Sequence, residues 1–243
     1  MVAQAADLSA LARAARLIRE LKAGGWHDPR ETIEAKVRRM QALRSPELPE
    51  GVRAQRARDP LWPALFAAEA ERIRGSLGEA VADVQHFGSS AIPSPGLSSK
   101  GVIDFLVAID EAAGVEERSA GLAALGYECY GNGPCDPEST WWWRIEGGEI
   151  AYVAHVCGAA NPWIRTAVNF RDYLRACPDE CAHYEARKRQ LAAEPGRSLF
   201  EYSLGKLKTF YEISAKANAW RAAADAAGSS PAAGSEPTIE RSW

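Results

Sequence analysis

The stretch from Val102 to Ile109 reads as a β-strand, and one of its residues is an acid. An aspartate set between Ile103 and Phe105 in an otherwise apolar strand is costly unless it meets a metal, a cation or several hydrogen-bond donors. A chain with such a strand must place something polar against Asp104. Upstream, Val81 to Phe87 reads as a short strand that runs into Gly88-Ser89-Ser90, and a loop rich in proline, glycine and serine leads on to the acidic strand. A strand ending in Gly-Ser exposes backbone amides and a hydroxyl at a turn, which suits the oxygens of a phosphate. Lys100 is placed to offset phosphate charge or to pair with Asp104, and a divalent ion bridging Asp104 to phosphate oxygens is the other arrangement open to it.

The surrounding pattern is that of an α/β or α+β domain with a small mixed sheet. A helix is expected from Asp59 to about Gly78, with Trp62, Leu65, Phe66, Ala70, Ile73 and Leu77 on its core face. Glu111 to Leu125 is expected to be helical, followed by an extended stretch from Gly126 to Tyr130. Thr140 to Glu146 and Ile150 to Cys157 read as neighbouring strands joined by a Gly147-Gly148 hairpin turn. Three helices follow, over Asn161 to Arg175, Pro178 to Ala193 and Leu199 to Ala224, the last amphipathic through Leu204, Leu207, Tyr211, Ala215 and Trp220. Residues 1 to about 50 carry two helical patterns broken at Gly24-Gly25, which predicts a helical hairpin that packs on the main domain or makes a homodimer. The tail from Gly228 to Trp243 lacks periodicity and is expected to be disordered.

Composition narrows the function. With 47% hydrophobic and 25% charged residues in 243, the chain can bury a sizeable core. A net charge of −3 has the wrong sign for holding nucleic acid by bulk charge. No apolar run approaches the roughly 18 residues of a membrane span, and the N-terminus lacks a signal-peptide centre, so a cytoplasmic protein is expected. The five cysteines include no CxxC pair and are read as reduced thiols, with Cys135 in the most exposed setting.

Gln85-His86-Phe87-Gly88-Ser89-Ser90-Ala91-Ile92-Pro93, then Gly96-Leu97, Lys100 and Ile103-Asp104, resembles the GrpB family of the nucleotidyltransferase superfamily, whose run is Glu-His-Ile/Val-Gly-Ser-Thr-Ala-Val/Ile-Pro-Gly-Leu followed by Ala-Lys-Pro and Ile-Asp. A second block, Asn169-Phe170-Arg171-Asp172-Tyr173-Leu174-Arg175 with Pro178, Tyr184 and Lys188, is similar to the family's FRDYLR segment and the helix after it. The resemblance covers about residues 58 to 222. It implies a nucleotidyltransferase-like fold, with Gly88, Ser89 and Ser90 binding phosphate, helped by Lys100 and Arg171. It also implies that Asp104 holds Mg²⁺ together with His155, which would otherwise move a proton, and that the substrate is ATP or another nucleoside triphosphate joined to a small molecule.

The departures from the pattern matter equally. Leu106 stands where a second carboxylate would be, Gln85 replaces a glutamate, Ser94-Pro95 lengthens the loop, and Gly101 replaces a proline. Two readings result: an enzyme that transfers a nucleotidyl group or activates a carboxylate for ligation, and a nucleotide- or metabolite-binding accessory protein that has lost transfer chemistry. Other residues stand between structural and functional roles. His86 can be a satisfied core histidine, and Arg171, Asp172 and Arg175 an ion-pair network. Trp141, Trp142 and Trp143 must point to alternating faces of their strand, leaving one to stack on a flat ligand or all three to core packing. Lys208 is expected in solvent, with Lys206 between solvent and site.

Overall fold

The computed structural model describes residues 57–94, 96–110, 115–132, 136–194 and 199–228, with positions 19, 31, 32, 34–36 and 38 ahead of them. The expected N-terminal hairpin, apart from those positions, lies outside the described residues, as do Cys135 and the tail beyond 228. Lys36 is one described exception. It is buried, donates from Nζ to the Tyr211 hydroxyl at 3.0 Å and pairs with Glu31 at 3.2 Å, which ties this segment to the main domain.

The elements run α1 (Trp62–Leu77), β1 (Val81–Phe87), β2 (Ile103–Ile109), α2 (Val115–Ala124), β3 (Glu128–Asn132), β4 (Thr140–Glu146), β5 (Glu149–Gly158), α3 (Pro162–Ala176), α4 (Pro178–Ala192) and α5 (Leu199–Ala226). Five strands form one mixed sheet, as the sequence pattern implied, and their order is β1-β2-β5-β4-β3. The β2–β5 pair is parallel and every other pair is antiparallel.

Both faces of the central strands are covered, which explains why β2 and β5 read as almost unbroken apolar runs. Phe105, Val107, Tyr152, Ala154 and Val156 point to one face, under Trp62, Ala70, Ile73 and Leu77 of α1 and Leu122 of α2. Leu106 and Cys157 point to the other, under Trp163, Phe170 and Leu174 of α3, Tyr184 of α4 and Phe210 and Ile213 of α5. A third, mostly aromatic cluster of Val102, Tyr130, Trp143, Ile150 and Val153 sits near the first half of β2, with Trp141 packed against it.

Local chemistry accounts for the element ends. Gly147 and Gly148 have φ of 58° and 78° between the paired Glu146 and Glu149, the left-handed pair that a two-residue hairpin turn demands. Helix α3 starts where the Asn161 side chain accepts from the Trp163 amide at 2.8 Å, with Pro162 at its first position. Strand β3 begins two residues later than expected, because Gly126 has a φ of 86° and belongs to the turn after α2.

Two core assignments need correction. Leu65 is 41% exposed, because its neighbour Phe66 takes the inward place and stacks on His86 with ring centroids 4.6 Å apart. On α5, Ala215 faces solvent. The buried stripe runs instead through Tyr202, Leu204, Leu207, Phe210, Ile213 and Ala217, a wider face than one amphipathic seam because α5 packs on both α3 and α4. Among the described residues no helix is long and apolar enough to cross a membrane.

Candidate active site

The Gly-Ser turn and the acidic strand meet because β1 and β2 are ladder partners, with Phe87 opposite Asp104. Gly88 follows with a φ of 71°, and a β-carbon there would collide with Oδ2 of Asp104. Only glycine lets the backbone ride this close over the carboxylate. Ser89, Ser90 and Ala91 then make one 3₁₀ turn, closed by the Ala91 amide donating to the Gly88 carbonyl at 3.2 Å. The leading amides of such a turn have no acceptor within it and are available to an anion.

The two serines part company. The Ser89 hydroxyl lies 3.2 Å from Lys188 Nζ, whereas Ser90 is buried with its Oγ 3.1 Å from His86 Nε2. The Ser90 hydroxyl is thus engaged with a core side chain, and a phosphate contact from this residue would fall to its amide. His86 is a core histidine. Burial holds it neutral, pushing its pKa down to about 3 against the opposing pull of Asp104.

Opposite the turn, Asp104 is partly exposed, and His155 Nε2 lies 3.7 Å from its Oδ1. Lys100, the other candidate neighbour of Asp104, places its ammonium over the Tyr202 ring. His155 comes from β5, in register with Leu106 on β2 and with Trp141 on β4. Its ring meets Phe87 and Trp141 edge-on. The Trp141 indole N–H donates to its Nδ1 at 2.7 Å, while Nε2 is buried without a hydrogen-bond partner. With Nδ1 accepting, a neutral imidazole carries its proton on Nε2. The nitrogen facing Asp104 is then a donor, not the lone pair that a metal ligand would offer.

Among the described residues no group of three or more His, Cys, Asp or Glu side chains is placed to hold a metal ion. Asp104 alone offers one hard oxygen, and its partial exposure leaves it open to the cleft. That donor set does not make a resident Mg²⁺ site. It fits Mg²⁺ only as the ion arriving on a nucleotide, where phosphate oxygens and water fill the remaining positions.

Three lysines stand near these elements, two over Tyr202 and one at Ser89. Lys100 and Lys206 place their ammonium groups 5.0 Å and 4.7 Å from the ring centre of the buried Tyr202. Lys188 of α4 donates to the Ser89 hydroxyl and to Glu185, each at 3.2 Å, and also to the Ser98 carbonyl. Burial pushes the Lys188 pKa down to about 8; Glu185 works against this, and the charge of Lys206 adds to it. Glu185 in turn accepts from the Ser98 amide and hydroxyl at 3.0 and 2.6 Å. Burial raises its pKa, but the bonds from Ser98 and the Lys188 charge outweigh it and keep the group ionised below its usual range.

Arg171 lies elsewhere. It is buried, donates to Gln85 Oε1 at 3.0 Å and to the His86 carbonyl at 2.9 Å, and pairs with Asp172 at 2.8 Å. Arg175 adds two bonds to the Ala91 carbonyl, and Arg175 and Arg221 also reach Asp172. Arg171 Nε and Nη1 are engaged by Asp172 and strand β1, the ion-pair network that was the alternative to a phosphate contact, and this network fixes the turn from behind.

Of the three tryptophans, Trp142 packs against the α1 side, while Trp141 and Trp143 share the face of Asp104 and His155. Trp143 is buried against Tyr130, ring centroids 4.5 Å apart, and Trp141 stays partly open. Lys208 pairs with Glu212 at the surface. The residues whose roles the sequence did not disclose are Lys188 and its clamp Glu185, and Trp141 as the partner of His155. Glu185 and Lys188 stand three apart on one helix, which was visible, but nothing in the sequence marks that turn as the one beneath Ser89 and Ser98.

A family model described as GrpB protein matches residues 56–216. A UPF0157 protein of Halalkalibacterium halodurans is 32% identical over 163 residues, 66% of this chain and 80% of that protein. The crystal structure of the conserved protein GrpB from Enterococcus faecalis superposes with a TM-score of 0.60 at 26% identity, covering 69% of this chain and 99% of that one. Cid1 poly(U) polymerase with Mg 3′-dATP bound gives a TM-score of only 0.40 at 14% identity, over 61% of this chain and 49% of that one, a likeness from which nothing about this chain's chemistry follows.

Proposed function

Since the chain belongs to the GrpB family, we propose that its cleft binds the triphosphate of a magnesium-bound nucleotide and that the protein is an enzyme acting on a small molecule, by nucleotidyl transfer or by ATP-dependent activation of a carboxylate. The observation that supports this is Lys188 at the Ser89 hydroxyl, beside the Gly88 turn that rides over the Asp104 carboxylate, with Lys100 and Lys206 over the ring of Tyr202. A buried lysine beside open amides, facing a carboxylate, suits a polyanion that brings its own cation.

In this reading Gly88 lets phosphate oxygens approach the backbone, the Ser89 amide and hydroxyl bind them, and the lysines offset their charge. Asp104 would ligate the Mg²⁺ that accompanies the nucleotide, whose role is to draw charge from the phosphates. Attack by an oxygen of the acceptor on the α-phosphorus forms the new P–O bond and breaks the bond to the β-phosphate, releasing pyrophosphate. His155 presents its Nε2 proton to an oxygen next to Asp104. The second reading, a binding protein without turnover, draws its support from Leu106, which leaves Asp104 as the lone carboxylate of its strand.

The test is the thermal midpoint against ATP, CTP, GTP and UTP, each with and without Mg²⁺. Ligand at about 100 times its Kd adds roughly 2.7 kcal/mol, or about 5–10 °C for a chain of this size. A Mg²⁺-dependent rise for at least one nucleotide, absent in Asp104→Asn, is expected; no rise with any of the four would sink the reading. Pyrophosphate release with some small-molecule acceptor separates the enzyme from the accessory protein.

A further inference from the structure

We propose that Trp141 is a positioning residue for the ligand: its indole N–H holds His155 in the tautomer protonated on Nε2, so that a fixed, neutral donor faces an oxygen of the triphosphate beside Asp104. An indole N–H can only donate. At 2.7 Å from Nδ1 it obliges that nitrogen to offer its lone pair, and the ring's proton must then reside on Nε2. Nε2 is buried, has no hydrogen-bond partner among the described residues, and stands 3.7 Å from Asp104 Oδ1, beyond hydrogen-bonding range. A buried N–H left this way is costly, and the cost is recovered when a ligand oxygen fills the gap.

The sheet makes the arrangement stiff. Trp141 and His155 are ladder partners on adjacent strands, and the imidazole is pinned edge-on between Trp141 and Phe87. The ring can neither flip nor turn away without losing the indole bond. The inference rests on the reading of this cleft as a triphosphate site for the ligand's identity, but not for the tautomer itself.

The experiment is ¹⁵N-resolved histidine spectroscopy on the ligand-free protein near neutral pH, with His155→Gln to assign the signal, and a MgATP titration of wild type and Trp141→Phe. The expected spectrum shows His155 neutral with its proton on Nε2. Trp141→Phe is expected to give a tautomer mixture and to weaken MgATP about tenfold, the loss of one oriented hydrogen bond. A wild-type His155 protonated on Nδ1, or on both nitrogens, would overturn the inference, and so would a Trp141→Phe spectrum that keeps the Nε2–H form. Should the variant fail to fold, the wild-type ¹⁵N–¹⁵N coupling across the hydrogen bond between the Trp141 indole and His155 Nδ1 decides alone: its presence supports the inference and its absence overturns it. Failure of wild type to bind MgATP would remove the triphosphate reading and leave the tautomer result standing.

Discussion

At the scale of single residues, the site depends on two groups that a conservative change would disable for different reasons. Gly88 sits at a φ of 71° with the Asp104 carboxylate in the space a β-carbon would take. Gly88→Ala therefore meets backbone strain and a collision together. It is expected to cost about 2–3 kcal/mol in urea denaturation and to abolish the nucleotide-dependent rise in midpoint. An unchanged midpoint and intact binding would show that the turn is not held against Asp104. Lys188 acts through its proton. With a folded pKa near 8 against an ordinary 10.5, the native state releases this proton before the unfolded chain does. Wild-type stability, taken relative to Lys188→Met, is expected to rise from about pH 8 toward pH 10.5 in the ligand-free protein, because the burial penalty on the ammonium disappears. Affinity for MgATP is expected to fall over the same upward step from pH 8, because the charge that meets the phosphates disappears. Calorimetric titration at pH 7 and pH 9 checks this, and an affinity that is flat in wild type would rule Lys188 out as a phosphate group. Asp104, Gly88 and Ser89 were legible in the sequence because a lone acid in an apolar strand and a glycine at a strand end are local signals. Ser90 and His86 satisfy one another within the 3₁₀ turn and the core, a pairing that depends on which way each side chain faces after folding.

At the scale of elements, helix α3 is what holds strand β1 and its turn in place. Arg171 bonds the His86 carbonyl and Gln85, and Arg175 bonds the Ala91 carbonyl, so one turn of helix grips the backbone on both sides of Gly88. Arg171→Met is expected to destabilise the protein by about 3 kcal/mol, since Asp172 loses a buried partner and the strand loses two bonds, whereas Arg221→Met, on the more exposed arm of the network, should cost under about 1 kcal/mol. Chemical denaturation of both variants is the check. If Arg171 instead met phosphate directly, its variant would keep wild-type stability and lose only nucleotide affinity. Strands β1, β2, β4 and β5 and the three C-terminal helices were readable to within a residue or two, because alternation, the Gly147-Gly148 turn and Pro162 and Pro178 are local features. The partnership of α3 with β1 was not readable, since it joins residues about 85 apart in the chain through side chains that any surface helix might carry.

At the scale of the whole molecule, the site lies where the sheet changes from antiparallel to parallel. Asp104 belongs to the antiparallel β1–β2 pair and His155 to the β4–β5 hairpin, and the backbones of the two halves are joined by the parallel β2–β5 ladder. The mixed sheet with helices on both faces followed from the order of strands and helices; the strand order itself did not, because parallel pairing is set by packing between segments remote in sequence. That ladder has a consequence in time. The hairpin closes through a two-residue turn, while β2 must find β5 across the α2, β3 and β4 segments, the slower kind of contact. Gly148→Ala is expected to slow refolding, and Ile103→Val, at the start of the parallel ladder, to act mainly by speeding unfolding; denaturant-dependent rates for the two would test this, and the reverse pattern would refute it. The Trp141–His155 pair would then exist before Asp104 arrives, and the cleft would be the last part of the protein to come into being and the first to be lost.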